Sequence, residues 1–549
     1  MTVRSRAGES AQGITVSAAA IAWIALGALL LVPRLAAVWQ LPVGGSEWLH
    51  LSGAWNATLG VDDDRFVPSL FQALSALLLS IDASETLPRL LAFIATATVP
   101  VALYMLRPQL GEAGALLALL LLALDAPAAW LGVAASASAF DVAIALWFFV
   151  LLVRPGAPWW LWPIAAFGVA TAGPVPLALA IAAGGLALFR GRRPDPQLTA
   201  AVIGAAMLGI VLASFGFGYG WQGVAVPPLV LFAEPFEQHW TTGTVADVLL
   251  LYSWPLVFGG VVAAVLSALR WDQAGSHPGA PLAWERLLVA WFAVAVAWML
   301  VASNTRAEAP LVAATLPAAL LAGLWLARAF DAMFAVRWHQ AWLLLGVAFF
   351  VFALAAIVVV DWARWDRVGE GGEVARVAIL GVATIAILAF LAFYRPARPV
   401  LIVPVVALGA VPLISGAFNV GFGAYAEPFP SPQSPVNARV LSAVVLDVLE
   451  ETPGPVVVHE SLRDEVTWPF RETTPLIIAT RVPPDAAVAI LPAGADQPQG
   501  MAPIDGDWAL VHHVEQPTTG ILRYVRWLTD RKHTDVHPEP VQVFVRDSE

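Results

Sequence analysis

Long apolar runs separated by short polar connections fill the chain from Ile14 to Phe418. Since a helix needs about 20 apolar residues to cross a bilayer, this pattern predicts about 13 spanning helices. They begin near Val16, Leu87, Ala113, Phe140, Trp159, Pro174, Leu198, Val245, Leu287, Pro310, Ala341, Val374 and Val400. The run Phe66–Ile81 is apolar but short, with Pro68 near its start, so it predicts an interfacial or re-entrant helix.

The pattern changes near Pro428, where four closely spaced prolines indicate a linker that resists helix formation. Beyond it, Asn437 is placed to cap an amphipathic helix that runs to Glu451. Short β-branched runs then predict five strands: Val456–His459, Leu476–Thr480, Ala487–Leu491, Trp508–Val514 and Val541–Val545. A second helix is predicted over Gly520–Asp530. The predicted fold is an all-α polytopic membrane domain, residues 1–427, followed by a small α/β domain, residues 428–549.

The placement of arginines predicts the orientation, because arginines concentrate in cytoplasmic connections. With Arg4 and Arg6 inside, Arg107 and Arg154 also fall inside, and the outer connections are richer in acids. The chain is therefore expected in the plasma membrane, with its N-terminus in the cytoplasm. The first outer loop, residues 40–86, and the C-terminal domain are expected on the outer, extracytoplasmic face.

Composition agrees with a membrane protein and excludes several chemistries. The 549 residues are 59% hydrophobic and 13% charged, with a mean hydropathy of +0.75, whereas soluble chains carry about 25% charged residues. The formal charge of −11 argues against nucleic acid as a partner. The absence of cysteine excludes disulfides, thiol catalysis and cysteine–zinc sites.

The most polar part of the first outer loop is Gly44–Arg65. Glu47 and His50 are three residues apart and would share one face of a helix, where they could form a general base or bind a divalent cation. The alternative is a solvated interfacial helix with Trp48 and Trp55 as anchors. The run Asp62–Asp64 is compatible with a cation site or with a solvated turn.

Further candidates lie at the outer ends of later spans. Asp141 opens the fourth span, and an ionisable residue there is either functional or an acid that faces water. Arg306 could bind a lipid phosphate bidentately, or pair with Glu308 at the surface. Arg65, Trp48 and His239 are additional candidates for substrate binding on this face.

Several short motifs occur in an order that is typical of one superfamily. In chain order they are Ser46-Glu47-Trp48-Leu49-His50, Pro68-Ser69-Leu70-Phe71, Ser84–Leu90, Ser136–Asp141, Glu237–Trp240, the span that begins at Pro310, and Trp468-Pro469-Phe470-Arg471. Over nearly its whole length the chain resembles the GT-C superfamily of polytopic glycosyltransferases, in particular the mannosyltransferase-like group of flippase-activity-associated proteins, and is similar also to protein O-mannosyltransferases.

This resemblance implies transfer of a mannose-like hexose from a polyprenyl-phosphate-linked donor to an acceptor on the outer face. It places Glu47 and His50 at the reacting centre, Asp141 in the same pocket and Arg306 against the lipid phosphate. It implies no certain cofactor, although a divalent cation is compatible with the acids, and it names no protein partner.

The chain also departs from the superfamily pattern. Ser46 stands where the motif has an aspartate, Ser136 and Ala139 replace arginines, and Glu308 replaces a basic residue. Either Glu47 and Arg306 carry the missing roles, or the protein is a non-catalytic relative that assists lipid-linked glycan flipping or polysaccharide export. A third possibility is a surface protein whose C-terminal domain binds a partner or glycan.

Overall fold

A computed structural model describes two parts, a helical region and a C-terminal region with a β-sheet. The described residues are 17–40, 43–44, 47–60, 69–154, 156–189, 196–219, 249–269, 284–301, 308–334, 436–462, 468–471, 473, 476–514 and 536–546, with a few isolated positions between 346 and 417. The predicted spans that begin near Ala341, Val374 and Val400, and the proline-rich linker, lie outside them.

Eleven helices precede residue 215 in the described part of the chain. They are α1 Ala18–Gln40, α2 Glu47–Thr58, α3 Leu70–Leu79, α4 Thr86–Ala97, α5 Val99–Leu110, α6 Glu112–Leu124, α7 Ala126–Leu131, α8 Ala137–Val153, α9 Leu161–Thr171, α10 Pro174–Phe189 and α11 Pro196–Ser214. The short π-helix Leu249–Ser253 leads into α12 Trp254–Leu269, which is followed by α13 Trp284–Val301 and α14 Glu308–Phe334.

Five of the described helical segments are long and apolar enough to cross a membrane: Ala18–Gln40, Thr86–Leu110, Pro196–Ser214, Leu251–Leu269 and Leu311–Ala332. Shorter apolar helices, among them α6, α8 and α9, accompany them. These segments indicate a membrane-embedded protein, as the hydrophobic pattern predicted.

Helix α14 lies at the centre of the helical part and packs against α6, α10, α12 and α13. Its Ala313, Ala314, Ala318 and Ala319 are fully buried. Small residues allow helices in membranes to approach closely. At Gly260 of α12, an added Cβ would lie 2.7 Å from the Cβ of Ala318, so this approach depends on glycine. The small residues of α14 and α12 therefore allow these helices to pack closely.

Helices α2 and α3 follow α1 in the sequence and pack against each other, and α3 also packs against α4. Ser69 caps α3, because its hydroxyl accepts a hydrogen bond from the backbone N–H of Gln72. Ten residues of helix extend only about 15 Å, too short to span a bilayer. The predicted short helix over this part of the chain is therefore confirmed.

The C-terminal domain is α/β, as predicted. Helix α15 covers Val436–Glu451, and the strands are β1 Val456–His459, β2 Leu476–Ala479, β3 Val488–Pro492, β4 Met501–Pro503, β5 Trp508–Val514 and β6 Val536–Arg546. The strand order is β2-β1-β3-β6-β4, and β5 also pairs with β6. Strands β1, β2 and β3 are parallel, whereas β6 is antiparallel to its neighbours.

Leu441 and Val445 of α15 pack on a core formed by Val456, Val458 and Ile490. Five of the six strands coincide with predicted runs. Strand β4 was not predicted, and the predicted helix Gly520–Asp530 lies outside the described residues.

Candidate functional site

The carboxylate of Glu47 is bound on both oxygens. Arg89 of α4 donates from Nε to Oε1 at 2.7 Å and from Nη2 to Oε2 at 2.8 Å. The backbone N–H of Ala135, just before α8, donates to the same Oε1 at 2.8 Å. This is the bidentate geometry in which guanidinium and carboxylate groups bind most strongly.

Glu47 opens α2 and is itself anchored, because its N–H donates to the carbonyl of Gly44 at 3.1 Å. An acid in the first turn of a helix is favoured by the positive end of the helix dipole. Arg89 also donates from Nη1 to the carbonyl of Val38 in α1 at 3.3 Å. One ion pair, with each partner 1% exposed, therefore connects α1, α2, α4 and the start of α8.

This geometry bears on the predicted role of Glu47. A general base needs an oxygen that can receive a proton, and burial makes an ion pair costly to break. In this state, both oxygens of Glu47 are held by donors that orient the carboxylate. The contacts therefore give Glu47 a positioning function, and its function as a base stays a prediction.

His50 lies one turn further along α2 and is half-buried. Its backbone carbonyl accepts a hydrogen bond from Nε2 of Gln72 in α3 at 2.6 Å. Burial lowers the pKa of the imidazole to about 4, against an opposing contribution from a hydrogen bond with the Gln72 side chain. The ring is therefore neutral near pH 7.

Trp48 is buried, in contrast to the exposed position of an interfacial anchor. It belongs to an apolar cluster with Leu51, Leu79, Ala135 and Trp468. Its Nε1 has no hydrogen-bond partner in the part of the chain that the structure describes. Trp48 is therefore packed inside the protein, in one cluster with Ala135, and its function in substrate binding stays a prediction.

Asp141 is the fifth residue of α8, just after its first turn, and is 1% exposed. Its Oδ1 accepts a hydrogen bond from the backbone N–H of Gly173 at 2.6 Å, in the break between α9 and α10. An added Cβ at position 173 would lie 1.9 Å from Oδ2, so the carboxylate occupies the space that only glycine leaves free.

The structure thus connects two of the predicted acids to one short segment. Glu47 binds the N–H of Ala135, and Asp141 lies six residues further along the same chain segment. Arg65, Arg306 and His239 lie outside the described residues, as do Ser46 and Asp62–Asp64. Among the described residues, no group of three histidine, aspartate or glutamate side chains is placed to hold a metal ion.

The motif Trp468-Pro469-Phe470-Arg471 docks the C-terminal domain on α2 and the loop after α3. Nε of Arg471 donates to the carbonyl of Ala83 at 2.5 Å, and Nε1 of Trp55 donates to the carbonyl of Arg471 at 3.1 Å. The guanidinium lies over the Trp468 ring, 4.1 Å from its centroid. The C-terminal domain therefore contacts α2, the helix that begins at Glu47.

Sequence reasoning did not select Arg89 as a site residue. It also passed over a second buried polar contact, in which Asp125 accepts from the Ser253 hydroxyl at 2.6 Å and attracts the buried Arg34. Arg34 and Arg89 are arginines within apolar runs, and such ionisable residues are functional candidates by default. The position of Arg34 and Arg89 within apolar runs could therefore have identified them from the sequence.

Together, the described residues indicate a membrane-embedded helical protein with a small α/β domain docked on its helices. No family model matches the chain, and no curated protein matches it.

Proposed function

We propose that the protein is a membrane glycosyltransferase that moves a mannose-like hexose from a polyprenyl-phosphate-linked donor to an acceptor on the outer face of the cell membrane. The observation that carries this proposal is the placement of two buried acids around the start of α8. Glu47 of α2 accepts from the N–H of Ala135 just before this helix, and Asp141 lies within the helix. Acids in apolar surroundings are costly, and in membrane proteins they mark functional sites.

The contacts favour different functions for the two acids. Glu47 is a positioning residue, because Arg89 and Ala135 hold both of its oxygens. Asp141 has one hydrogen bond among the described residues, from Gly173, and retains acceptor capacity. In the proposed reaction the acceptor oxygen bonds to the anomeric carbon, polyprenyl phosphate leaves, and Asp141 takes the acceptor proton. Because Asp141 is buried here, the reaction requires an opened state.

The remaining candidates complete the proposal. Arg306 would bind the donor phosphate, and Arg65, His239 and Trp48 would contribute to substrate binding. The proposed topology has about 13 spans, with the N-terminus in the cytoplasm and the C-terminal domain outside.

The test is transfer by the full chain in liposomes, with radiolabelled polyprenyl-phosphate mannose as donor and a cell-envelope fraction as acceptor. Asp141→Asn keeps an oxygen that can accept from Gly173 but removes the charge. We expect it to lower kcat by about 10²–10⁴-fold, the usual contribution of a general base. Asp82→Asn, at an exposed acid near Ala83, is the matched control and should keep full activity. Undiminished transfer by Asp141→Asn would contradict the assignment.

A second candidate is a non-catalytic relative that assists the flipping of a lipid-linked glycan. It is favoured by one observation, the binding of both Glu47 carboxylate oxygens by donors of the protein itself. It predicts no transfer but accelerated loss of a fluorescent polyprenyl-phosphate lipid from one leaflet of the liposomes. Transfer without such movement supports the enzyme, and movement without transfer supports this alternative.

A further inference from the structure

A groove of about 820 Å³ lies between α4, α8 and α9. It is lined from Leu70 and Phe140 at one end to Arg154 at the other. Helix α8, which forms its floor, is 17 residues long, or about 25 Å, close to the thickness of a bilayer core. Ile94, Trp147 and Ile164 in its walls are exposed, so the groove opens towards the lipid.

A charged side chain lies at one end of this groove. Among the described residues that line it, Arg154 is the only charged one, and the opposite end is formed by Leu70 and Phe140. Arg154 lies at the C-terminal end of α8, remote from Ala135 and the docked C-terminal domain. The side chain is exposed, and its Nη1 lies 3.4 Å from Sδ of Met105 in α5.

The residues around Arg154 are of the types that face lipid headgroups at a membrane surface. Gln109 of α5 donates to the carbonyl of Val153 at 3.5 Å and holds the ends of α5 and α8 together. Arg107, exposed and stacked over Tyr104, is therefore at the same end. Trp159 and Trp160 are 69% and 50% exposed. Basic residues with exposed tryptophans are typical of the membrane–water interface.

We propose that this groove is a binding site for an anionic phospholipid of the bilayer. Its phosphate binds Arg154, and one acyl chain lies along α8 towards Phe140. A guanidinium binds phosphate oxygens bidentately, and the groove volume lies within the range of small-molecule sites. The site is distinct from the proposed glycosyl-transfer site, because its cation is at the end away from Asp141 and the C-terminal domain.

The same placement argues against the sugar donor as occupant. The donor would have its phosphate on the side of the C-terminal domain, where the described groove residues are Leu70 and Phe140. A bilayer lipid from the opposite leaflet places its phosphate at Arg154 instead.

Photocrosslinking of the full chain in phosphatidylcholine nanodiscs tests this proposal. Two probes with a diazirine in the acyl chain are compared, phosphatidylglycerol and phosphatidylcholine, and the labelled peptides are found by mass spectrometry. We expect phosphatidylglycerol to label residues 140–168 about fivefold more than phosphatidylcholine, the effect of one basic residue near an anionic lipid. Arg154→Gln should remove this preference.

Arg107→Gln is the matched control, since it removes a charge at the same end but outside the groove lining; the preference should persist. Gly168→Leu places a side chain in the groove and should reduce labelling by both probes. Equal labelling by the two probes, a preference that survives Arg154→Gln, or no labelling of 140–168 would overturn the proposal. Displacement by trace polyprenyl phosphate, but not by excess phosphatidylglycerol, would overturn it in favour of the donor.

Discussion

The contact between Glu47 and Arg89 shows how one pair of side chains can organise several helices. Both groups are withdrawn from water, and their charges are compensated by each other and by Ala135 and Val38. A buried pair of this kind adds little net stability relative to apolar residues, but removal of one partner leaves an uncompensated charge. Its value therefore lies in fixing the geometry of the helices.

The pair can be tested by a double-mutant cycle. Glu47→Gln and Arg89→Gln should each lower the free energy of unfolding by about 3–5 kcal/mol, because each leaves the other partner buried and unpaired. The double variant should be less unstable than the sum of the single variants, since the partners are in contact. Unfolding in detergent by SDS titration measures all four proteins; additive effects would show that the two residues act independently.

His50 gives a second prediction, on pH dependence. Its pKa is about 4 in the folded chain and about 6.5 when unfolded, so the unfolded state binds the proton first. Stability is then fully present above pH 6.5 and is lost as the pH falls towards 4. The loss is at most about 3 kcal/mol, and solvent screening of this half-buried ring reduces it.

Melting temperatures of the wild type and His50→Gln between pH 4.5 and 7.5 measure this contribution. The wild type should lose more stability than the variant as the pH falls. Parallel curves for the two proteins would show that His50 does not titrate as its burial implies.

At the scale of helices and strands, local patterns predicted most of the described C-terminal domain. β1 and β5 begin and end where predicted, because β-branched and apolar runs are bounded by prolines, glycines and charges. β4 has three residues, ends at Pro503 and lacks a periodic pattern. It exists because it pairs with β6, a contact that local sequence does not encode.

In the helical part, too, the local sequence did not predict contacts between distant residues. The apolar run from Thr86 to Leu110 reads as one span, but Thr98 separates α4 from α5. For the candidate site, the sequence identified Glu47, His50 and Asp141 as unusual polar residues. It did not reveal that Arg89, 42 residues away, binds Glu47, or that Gly173 makes room for Asp141. Such partners are set by packing between helices that are distant in sequence.

On the scale of the whole molecule, the decisive feature is the attachment of the C-terminal domain to the helices. Trp468 lies in one apolar cluster with Trp48 and Leu51, and Arg471 reaches Ala83. The Ser442 hydroxyl of α15 donates to the carbonyl of Pro469 at 2.7 Å, so the motif is also fixed to its own domain. The Trp-Pro segment therefore connects the C-terminal domain to α2, in a cluster that also includes Val511 of β5.

Arg471→Ala should loosen this connection. The substitution removes the hydrogen bonds that the charged guanidinium donates, and each such bond contributes about 1.5–3 kcal/mol. Local opening of the contact between the C-terminal domain and α2 should therefore become about tenfold or more frequent. Hydrogen–deuterium exchange should rise in the peptides that contain α2 and Ala83, while β1 and β3 remain protected. Arg481→Ala, at an exposed arginine of the same domain, is the matched control and should leave exchange unchanged. Faster exchange confined to the sheet would mean that Arg471 stabilises its own domain only, and that the attachment of the domain to α2 depends on other contacts.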